Sequence, residues 1–158
     1  MPVIPKTPGL LVGEVMNRRP VTVREDADLL TAAELVALTE ANDLMVVDGQ
    51  RRLVGVLAEG DILRRALPDR DDVLAAGGSV AAAYALFLRR GRDMAELPLL
   101  PLVIRDPVLV SAEDHVGKIA VLLVERHIRT LAVVDGRTLV GSVSRADLCR
   151  AVVGTREL

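Results

Sequence analysis

The sequence predicts an α/β (α+β) protein built from two copies of one unit, each with the order strand, helix, strand, strand, helix. One indication is a corner that occurs twice: Gly55-Val56-Leu57-Ala58-Glu59-Gly60-Asp61 and Gly141-Ser142-Val143-Ser144-Arg145-Ala146-Asp147 each follow an apolar pair and precede a helical pattern. The other is that 20–49 aligns without gaps on 107–136, at an offset of 87 positions, with ten of 30 pairs identical. A duplicated unit explains both observations. Because one unit alone buries little apolar surface, we expect the two to pack sheet to sheet about a pseudo-twofold axis.

The composition indicates a folded protein with an aliphatic core. The 158 residues are 51% hydrophobic and 1% aromatic, with a net charge of -2. The scarcity of aromatic side chains and the lack of basic excess argue against nucleic-acid binding. The longest uncharged run, 73–88, is shorter than the roughly 20 residues that span a bilayer. We therefore expect a cytoplasmic protein without membrane contact. Cys149, the single cysteine, is predicted to be a buried thiol.

The elements of the first unit follow from its apolar pattern and its turn residues. Val12–Met16 is predicted to form a helical turn, and Asp26 and Asp28 are candidate caps of the next helix. The other predicted elements are a strand at 20–23, a helix whose apolar face is Leu29, Ala32, Ala33 and Val36, a strand at 44–47, a turn at Asp48-Gly49, a strand at 53–57, and a helix at 60–67 stopped by Pro68.

The second unit takes the same path. Its predicted elements are a strand at 107–110, a helix whose apolar face is Val116, Ile119, Ala120 and Leu123, a strand at 131–134, a turn at Asp135-Gly136, a strand at 139–143 and a helix at 145–153. Ser144 and Asp147 stand three residues apart, which is the spacing of a capping box at the start of that last helix.

The segment between the units has no counterpart in the repeat. Ser79 is predicted to cap a helix that Gly91 stops, and Asp93 offers a further cap-like start. The predicted apolar stripe of that helix is Val80, Ala83, Tyr84, Phe87 and Leu88, which either docks on the core or receives a partner. The chain is thus divided into an extended arm (1–11), a first unit (12–68), a connecting helical segment (69–98), a second unit (99–154) and a tail (155–158).

Both units resemble CBS domains, the units named after cystathionine β-synthase. The resemblance rests on Val15-Met16-x-x-x-Pro20-Val21-Thr22-Val23, 44–48, 53–56 and Asp61, and on 107–110, 131–135 and 139–147. It covers nearly the whole chain apart from the arm and the connecting segment, and implies a stand-alone tandem CBS pair. Such pairs commonly sense AMP, ADP or ATP, and sometimes S-adenosylmethionine or NAD, and they usually form dimers of pairs.

The resemblance implies a ligand site in the second unit, which keeps the nucleotide signature of Gly141, Ser144 and Asp147. Ser144 can donate to a phosphate beside a helix start, and the Asp147 carboxylate suits two ribose hydroxyls. The same two residues form a capping box whether or not a ligand binds. Backbone groups of the first two strands of this unit would read the adenine, and basic residues would meet the phosphate. The remaining candidates are Val108, Leu109, Val110, Leu131, Ala132 and Val133 on those strands, and His127, Arg129 and Arg145.

The first unit departs from the signature. Ala58 replaces the hydroxyl residue, and Glu59 brings a carboxylate to the place where a phosphate would lie. We therefore expect one competent site per chain, in the second unit. The first cleft is either empty or suited to an uncharged adenosine-like group, held by the weaker candidates Asp61, Val21, Thr22, Val23 and Met45.

Two functions remain after this reading. The first is a regulatory, non-catalytic sensor that binds an adenosine-containing ligand, requires no cofactor, forms a homodimer and is read by a regulated protein. The second is a ligand-free dimerisation or protein-interaction module, in which the signature serves helix capping alone. The sequence offers no metal-ligand spacing, no nucleophile beside a base and no phosphate-cradling glycine loop, so we expect neither catalytic nor metal-binding residues.

Overall fold

A computed structural model describes residues 9–154, and residues 1–8 of the predicted arm and the tail 155–158 lie outside it. The first repeat contains a sheet of β1 (Thr22–Arg24), β2 (Asp43–Val47) and β3 (Leu53–Ala58), in that order. β1 and β2 run parallel, which requires a crossover, and α2 (Leu29–Thr39) supplies it. α3 (Glu59–Ala66) follows β3 directly.

The second repeat has the same organisation. Its sheet consists of β4 (Leu109–Val110), β5 (Thr130–Asp135) and β6 (Thr138–Ser144), with β4 parallel and β6 antiparallel to β5. α6 (Val116–Glu125) crosses from β4 to β5, and α7 (Arg145–Gly154) follows β6. The predicted fold class and the predicted order of elements in both units are therefore confirmed. How the two sheets are placed relative to each other stays a prediction.

Four further elements lie outside the two sheets. α1 (Val12–Val15) precedes the first repeat, and α4 (Arg70–Ala75), α5 (Val80–Asp93) and a short 3-10 helix (Leu100–Leu102) lie between the repeats. No helix within residues 9–154 is long and apolar enough to cross a membrane.

The chain folds into two compact units that cut across the order of the sequence. One unit combines the described residues up to 20, residues 49–53 and those from 106 onwards, and the other combines 21–48 with 54–105. Each has its own aliphatic core. In the compact unit that holds most of the second repeat, the core is made of Val12, Val110, Val116, Ile119, Leu123, Leu131, Val133, Val143 and Leu148. In the compact unit that holds most of the first repeat, it is made of Val23, Leu29, Ala32, Leu44, Val46, Leu57, Ala66, Met94 and Leu99.

Each sheet is extended by a short segment from the start of the other repeat. Asn17 and Ser142 of β6 exchange backbone hydrogen bonds of 2.8 and 2.9 Å. Ile104 and Val56 of β3 do the same at 2.9 and 3.0 Å. Asn17 and Ile104 are themselves 87 positions apart, so they are equivalent residues of the duplicated unit. The start of each repeat therefore completes the sheet of the compact unit that holds the end of the other repeat.

The helices of the connecting segment differ from their prediction in three respects. Asp69 and Asp72 form a capping box that begins α4, a helix the sequence reading missed. α5 begins at the predicted cap, Ser79, but it continues through Gly91, whose φ is not positive and which therefore does not end the helix. No helix begins at Asp93, which is the last residue of α5.

The predicted apolar stripe of α5 does not dock on the core as a whole, although its member Phe87 packs against the core. Val80, Tyr84 and Leu88 are exposed, and Leu86 is the buried residue of the helix. α5 packs against α3 and α4, and the Arg90–Asp72 ion pair lies on its α4 side, which turns the Leu86 and Phe87 side of the helix towards the core. Cys149 is likewise exposed rather than buried, because its neighbour Leu148 faces the core.

Candidate ligand-binding site

The corner between β6 and α7 contains the predicted capping box. The Ser144 N–H donates to Asp147 Oδ2 at 2.9 Å, and the Asp147 N–H donates to Ser144 Oγ at 3.1 Å. Two donors at the helix start are thereby satisfied, as in other reciprocal caps. Within the described residues, no hydrogen bond uses the Ser144 hydroxyl proton or Asp147 Oδ1. Both residues are half-buried.

Gly141 is required at this corner by its close approach to another segment. A Cβ atom at this position would lie 2.8 Å from the Asn17 carbonyl oxygen and 2.8 Å from Met16 Sδ. The absence of a side chain at Gly141 thus lets the protein's own backbone at Asn17 come close. The same holds at Gly55, where a Cβ would lie 2.2 Å from the Ile104 carbonyl oxygen.

The strand register groups the candidate side chains on two faces of the second sheet. Leu109 pairs with Ala132, Ala132 with Ser142, and Thr130 with Ser144. Paired residues share a face, and successive residues along a strand take opposite faces. These five residues therefore lie on one face of the sheet, here called the hydroxyl face, on which Leu109 is exposed and Ala132 and Ser142 are buried. The candidates Val110, Leu131 and Val133 point the other way into the core, and Val108 packs against that core, so a ligand could meet only their backbone groups.

Thr130 and Ser142 were missed by the sequence reading. Ser142 is buried, and it lies two residues before Ser144 on the same face of β6. Period-two alternation from Ser144 would have indicated Ser142. Thr130 could not be found this way, since only the pairing of β5 with β6 brings it opposite Ser144.

The basic candidates lie in and beside the loop that joins α6 to β5. His127 and Arg129 are exposed, and His127 has a φ of 52°, the left-handed conformation in which helices often end. The Arg145 guanidinium turns towards this loop, donating from Nε to the Ile128 carbonyl and from Nη2 to the Leu123 carbonyl, both at 2.9 Å. His115, the other histidine, begins α6, and its Nδ1 accepts from the Gly117 N–H at 2.9 Å.

The corresponding corner of the first repeat is different in detail. α3 begins after Ala58 without a side-chain cap, and the Asp61 carboxylate is paired with Arg64. The face equivalent to the hydroxyl face carries Met45 in place of Ala132, together with Asp43, Thr22, Val56 and Ala58. Val21 packs against the core and Val23 lies within it. This face thus has bulk where the second repeat has an alanine, and one hydroxyl where the second has three.

No group of three or more His, Cys, Asp or Glu residues in 9–154 is arranged to hold a metal ion. The carboxyl groups whose pKa is clearly lowered are Asp28, Asp72 and Glu113, each through hydrogen bonds to nearby residues. None of the three is a residue of the β6–α7 corner.

Comparison with known proteins identifies the family. The sequence profile of the CBS domain matches residues 12–68 and 94–154, which is well over half of the chain. The chain therefore belongs to the CBS-domain family and contains two CBS units. A stretch of 64 residues is 41% identical to the chloroplastic CBS domain-containing protein CBSX2 of Arabidopsis thaliana. That stretch is 40% of this chain and spans only 27% of the relative's length.

Two solved structures illustrate the likeness of fold. The crystal structure of CBSX2 in complex with AMP has a TM-score of 0.69 at 24% identity, covering 92% of this chain and 98% of that one. The CBS domain pair of protein MJ0100, in complex with 5'-methylthioadenosine and S-adenosyl-L-methionine, has a TM-score of 0.68 at 21% identity. The alignment covers 94% of this chain and all of that chain (100%).

Proposed function

We propose that this protein is a regulatory module that binds an adenosine-containing ligand at the β6–α7 corner of its second CBS unit. The observation that carries the proposal is the capping box at this corner, which leaves the Ser144 hydroxyl proton and Asp147 Oδ1 available next to the hydroxyl face. Ligands of this class are also named for two proteins of the same fold, with AMP in one and methylthioadenosine and S-adenosylmethionine in the other.

In the proposed complex, Asp147 Oδ1 accepts from the ribose hydroxyls and Ser144 donates to the first phosphate. The adenine lies against Leu109 and Ala132, and backbone groups of β4 and β5 read its edge. His127 and Arg129 approach the phosphate from the α6–β5 loop. AMP, ADP and ATP are the preferred ligands, with S-adenosylmethionine and NAD as second choices, and no catalytic step is assigned.

The first repeat is proposed to bind adenosine ligands weakly or not at all. Met45 occupies the position of Ala132, and the Glu59 carboxylate repels a phosphate at the start of α3. Asp61, the remaining signature acid, already pairs with Arg64. One ligand per chain is therefore expected.

Calorimetric titration and thermal unfolding with AMP, ATP, S-adenosylmethionine and NAD test this proposal. A ligand at 100 times its dissociation constant should stabilise the protein by about 2.7 kcal/mol. Asp147→Asn keeps an oxygen for the Ser144 N–H but removes an acceptor for the ribose, so it should abolish binding with little change in stability. Asp61→Asn is the matched control in the first repeat and should bind as the wild type does. Absence of a shift with every adenosine ligand would contradict the proposal.

A second candidate, a protein-interaction module, is favoured by the exposed side of α5. Val80, Tyr84 and Leu88 recur every four residues and are 66%, 68% and 61% exposed. We also propose that the protein forms a homodimer, acts on a regulated partner protein and is located in the cytoplasm. Light scattering of the wild type and of Tyr84→Glu tests the dimer, which should dissociate in the variant if this stripe forms its contact.

A further inference from the structure

We propose that Arg145 is a positioning residue that sets the preference for a phosphorylated ligand by holding the α6–β5 loop (residues 126–129) against the start of α7. The inference deepens the proposed function and rests on it, because it concerns how that ligand's phosphate is met. It assigns Arg145 a role through Arg129 and His127 rather than a direct contact of its own.

Three hydrogen bonds join Arg145 to this loop and to the helix before it. Its backbone N–H donates to the Arg129 carbonyl at 3.2 Å, and its Nε and Nη2 donate to Ile128 and Leu123 carbonyls at 2.9 Å. Leu123 lies in the last turn of α6, where carbonyl groups lack partners within the helix. One planar guanidinium therefore ties the end of α6 and its loop to the corner that carries Ser144 and Asp147.

Most of the loop is exposed to solvent. Arg126, His127 and Arg129 are exposed, and His127 turns the chain through a left-handed conformation. Ile128 is the half-buried residue of the loop and packs against the core. Since Arg129 immediately precedes Thr130, which pairs with Ser144, the loop determines where the His127 and Arg129 side chains lie relative to the proposed phosphate.

The first repeat provides a natural comparison within the same chain. The Glu59 N–H donates to the Asn42 carbonyl at 3.0 Å, which reproduces the backbone bond of Arg145, and Glu40 has a φ of 55°, as His127 has 52°. The backbone design is thus shared by both repeats. A Glu59 carboxylate has no proton to donate to carbonyl groups, however, so Glu59 cannot make the two bonds that the Arg145 guanidinium makes. Those two bonds lie beside the corner that keeps the complete signature.

The test compares the dissociation constants of AMP and adenosine in Arg145→Lys and Arg145→Gln. Lysine keeps the charge but cannot span two carbonyls with a planar fork. If Arg145 positions the loop, both variants should lower the preference for AMP over adenosine by about tenfold, with adenosine affinity within about twofold of wild type. Arg129→Gln should lower the preference for AMP over adenosine by a similar factor. Combined with Arg145→Lys, it should lower that preference by less than about a further twofold, as expected for residues that act together. Arg150→Lys, an exposed arginine of the same helix, is the control and should leave the preference unchanged.

Hydrogen exchange of the ligand-free protein gives a second readout. Amides of residues 126–129 should exchange faster in Arg145→Lys than in Arg150→Lys. Wild-type preference for AMP in Arg145→Lys would overturn the inference, and a loss of that preference in Arg145→Gln alone would then assign the effect to the charge of Arg145. Equal binding of AMP and adenosine by the wild type would overturn it while leaving the adenosine site standing. If the wild type binds neither, both the inference and the proposed function fail.

Discussion

At the scale of single residues, the two signature glycines are required by protein packing. Gly141 has no room for a Cβ because the Asn17 carbonyl oxygen lies 2.8 Å from that position. We expect Gly141→Ala to lower the free energy of unfolding by about 1–3 kcal/mol, the usual cost of overpacking. Gly91→Ala is the matched control. It lies within α5 with nothing near its Cβ position, so alanine should raise that free energy by about 0.4–1 kcal/mol. Urea denaturation measures both, and a Gly141→Ala protein as stable as wild type would contradict the assignment.

Asp28 makes part of the stability depend on pH. Its carboxylate caps α2 by accepting from the Thr31 N–H at 2.9 Å and from the Thr31 hydroxyl at 2.8 Å, and these bonds lower its pKa. Because the folded pKa lies below the unfolded value of about 3.9, the contribution is complete above that value and is lost as the pH falls through the folded pKa. Asp28→Asn keeps an oxygen cap and removes the titration. Between about pH 5 and pH 3, the free energy of unfolding should therefore fall less steeply with falling pH for the variant than for the wild type. Parallel curves would exclude this role.

The candidate site could be predicted from the sequence only as far as local spacing reaches. The Ser144–Asp147 capping box depends on two residues three positions apart, and it is present in the structure. At the equivalent place in the first repeat, Ala58 has no side-chain oxygen, and α3 begins without a side-chain cap. The bonds of Arg145 could not be predicted, since their acceptors are backbone carbonyls 17 and 22 residues earlier. Backbone groups carry no sequence signal, so only the folded chain reveals them.

At the scale of elements, α5 shows where periodicity fails. Apolar side chains cover more than half of its circumference between Val80 and Leu88, so several stripes fit the same sequence equally well. Packing against α3 and α4 selects the Leu86 side. The strands and the helices α2 and α6 were predicted correctly because their apolar residues are bounded by turns, caps and prolines.

The orientation of α5 predicts a large loss of stability for one substitution and almost none for another two residues away. Leu86 is 8% exposed, and Leu86→Ala should lower the free energy of unfolding by about 2–5 kcal/mol through the cavity it leaves. Tyr84 is 68% exposed, and Tyr84→Ala should change it by less than about 0.5 kcal/mol in a monomeric sample. Chemical denaturation at low protein concentration measures both. A larger loss for Tyr84→Ala would mean that this side of the helix is covered in solution.

At the scale of the whole molecule, the duplication was visible in the sequence and the exchange of segments was not. Identical pairs at a constant offset indicate a repeat, but they leave open which copy a given segment joins. The N-terminal segment (residues 9–20) packs with the second repeat through hydrogen bonds to residues about 100 positions later. Such pairing depends on shape and edge geometry rather than on local composition. The family profile likewise assigns residues 12–20 to the first CBS unit, because it follows the order of the sequence, whereas in the structure these residues pack with the second repeat.

This exchange predicts that the N-terminal segment stabilises the unit that carries the proposed ligand site. Val12 is fully buried, and the N–H groups of Val12, Gly13 and Asn17 donate to Asp114, Ala112 and Ser142 at 2.8 Å. Removing Val12 alone forfeits about 1.5–3 kcal/mol of apolar burial. A loss of about 3 kcal/mol corresponds to roughly 6–12 °C in the midpoint of thermal unfolding for a chain of this size. A chain that begins at residue 21 should therefore melt at a lower temperature by at least that interval.

A synthetic peptide of residues 9–20, added to the shortened chain, should restore the lost stability in proportion to its concentration, because it binds only the folded form. The same peptide with Asn17→Pro lacks the N–H that donates to the Ser142 carbonyl and should restore much less. Hydrogen exchange should place the recovered protection on β6 and on the start of α6, while the core around Leu44 and Leu57 exchanges alike with and without peptide. Equal rescue by both peptides would show that apolar contact alone attaches the segment, and an unaltered melting temperature of the shortened chain would refute the exchange itself.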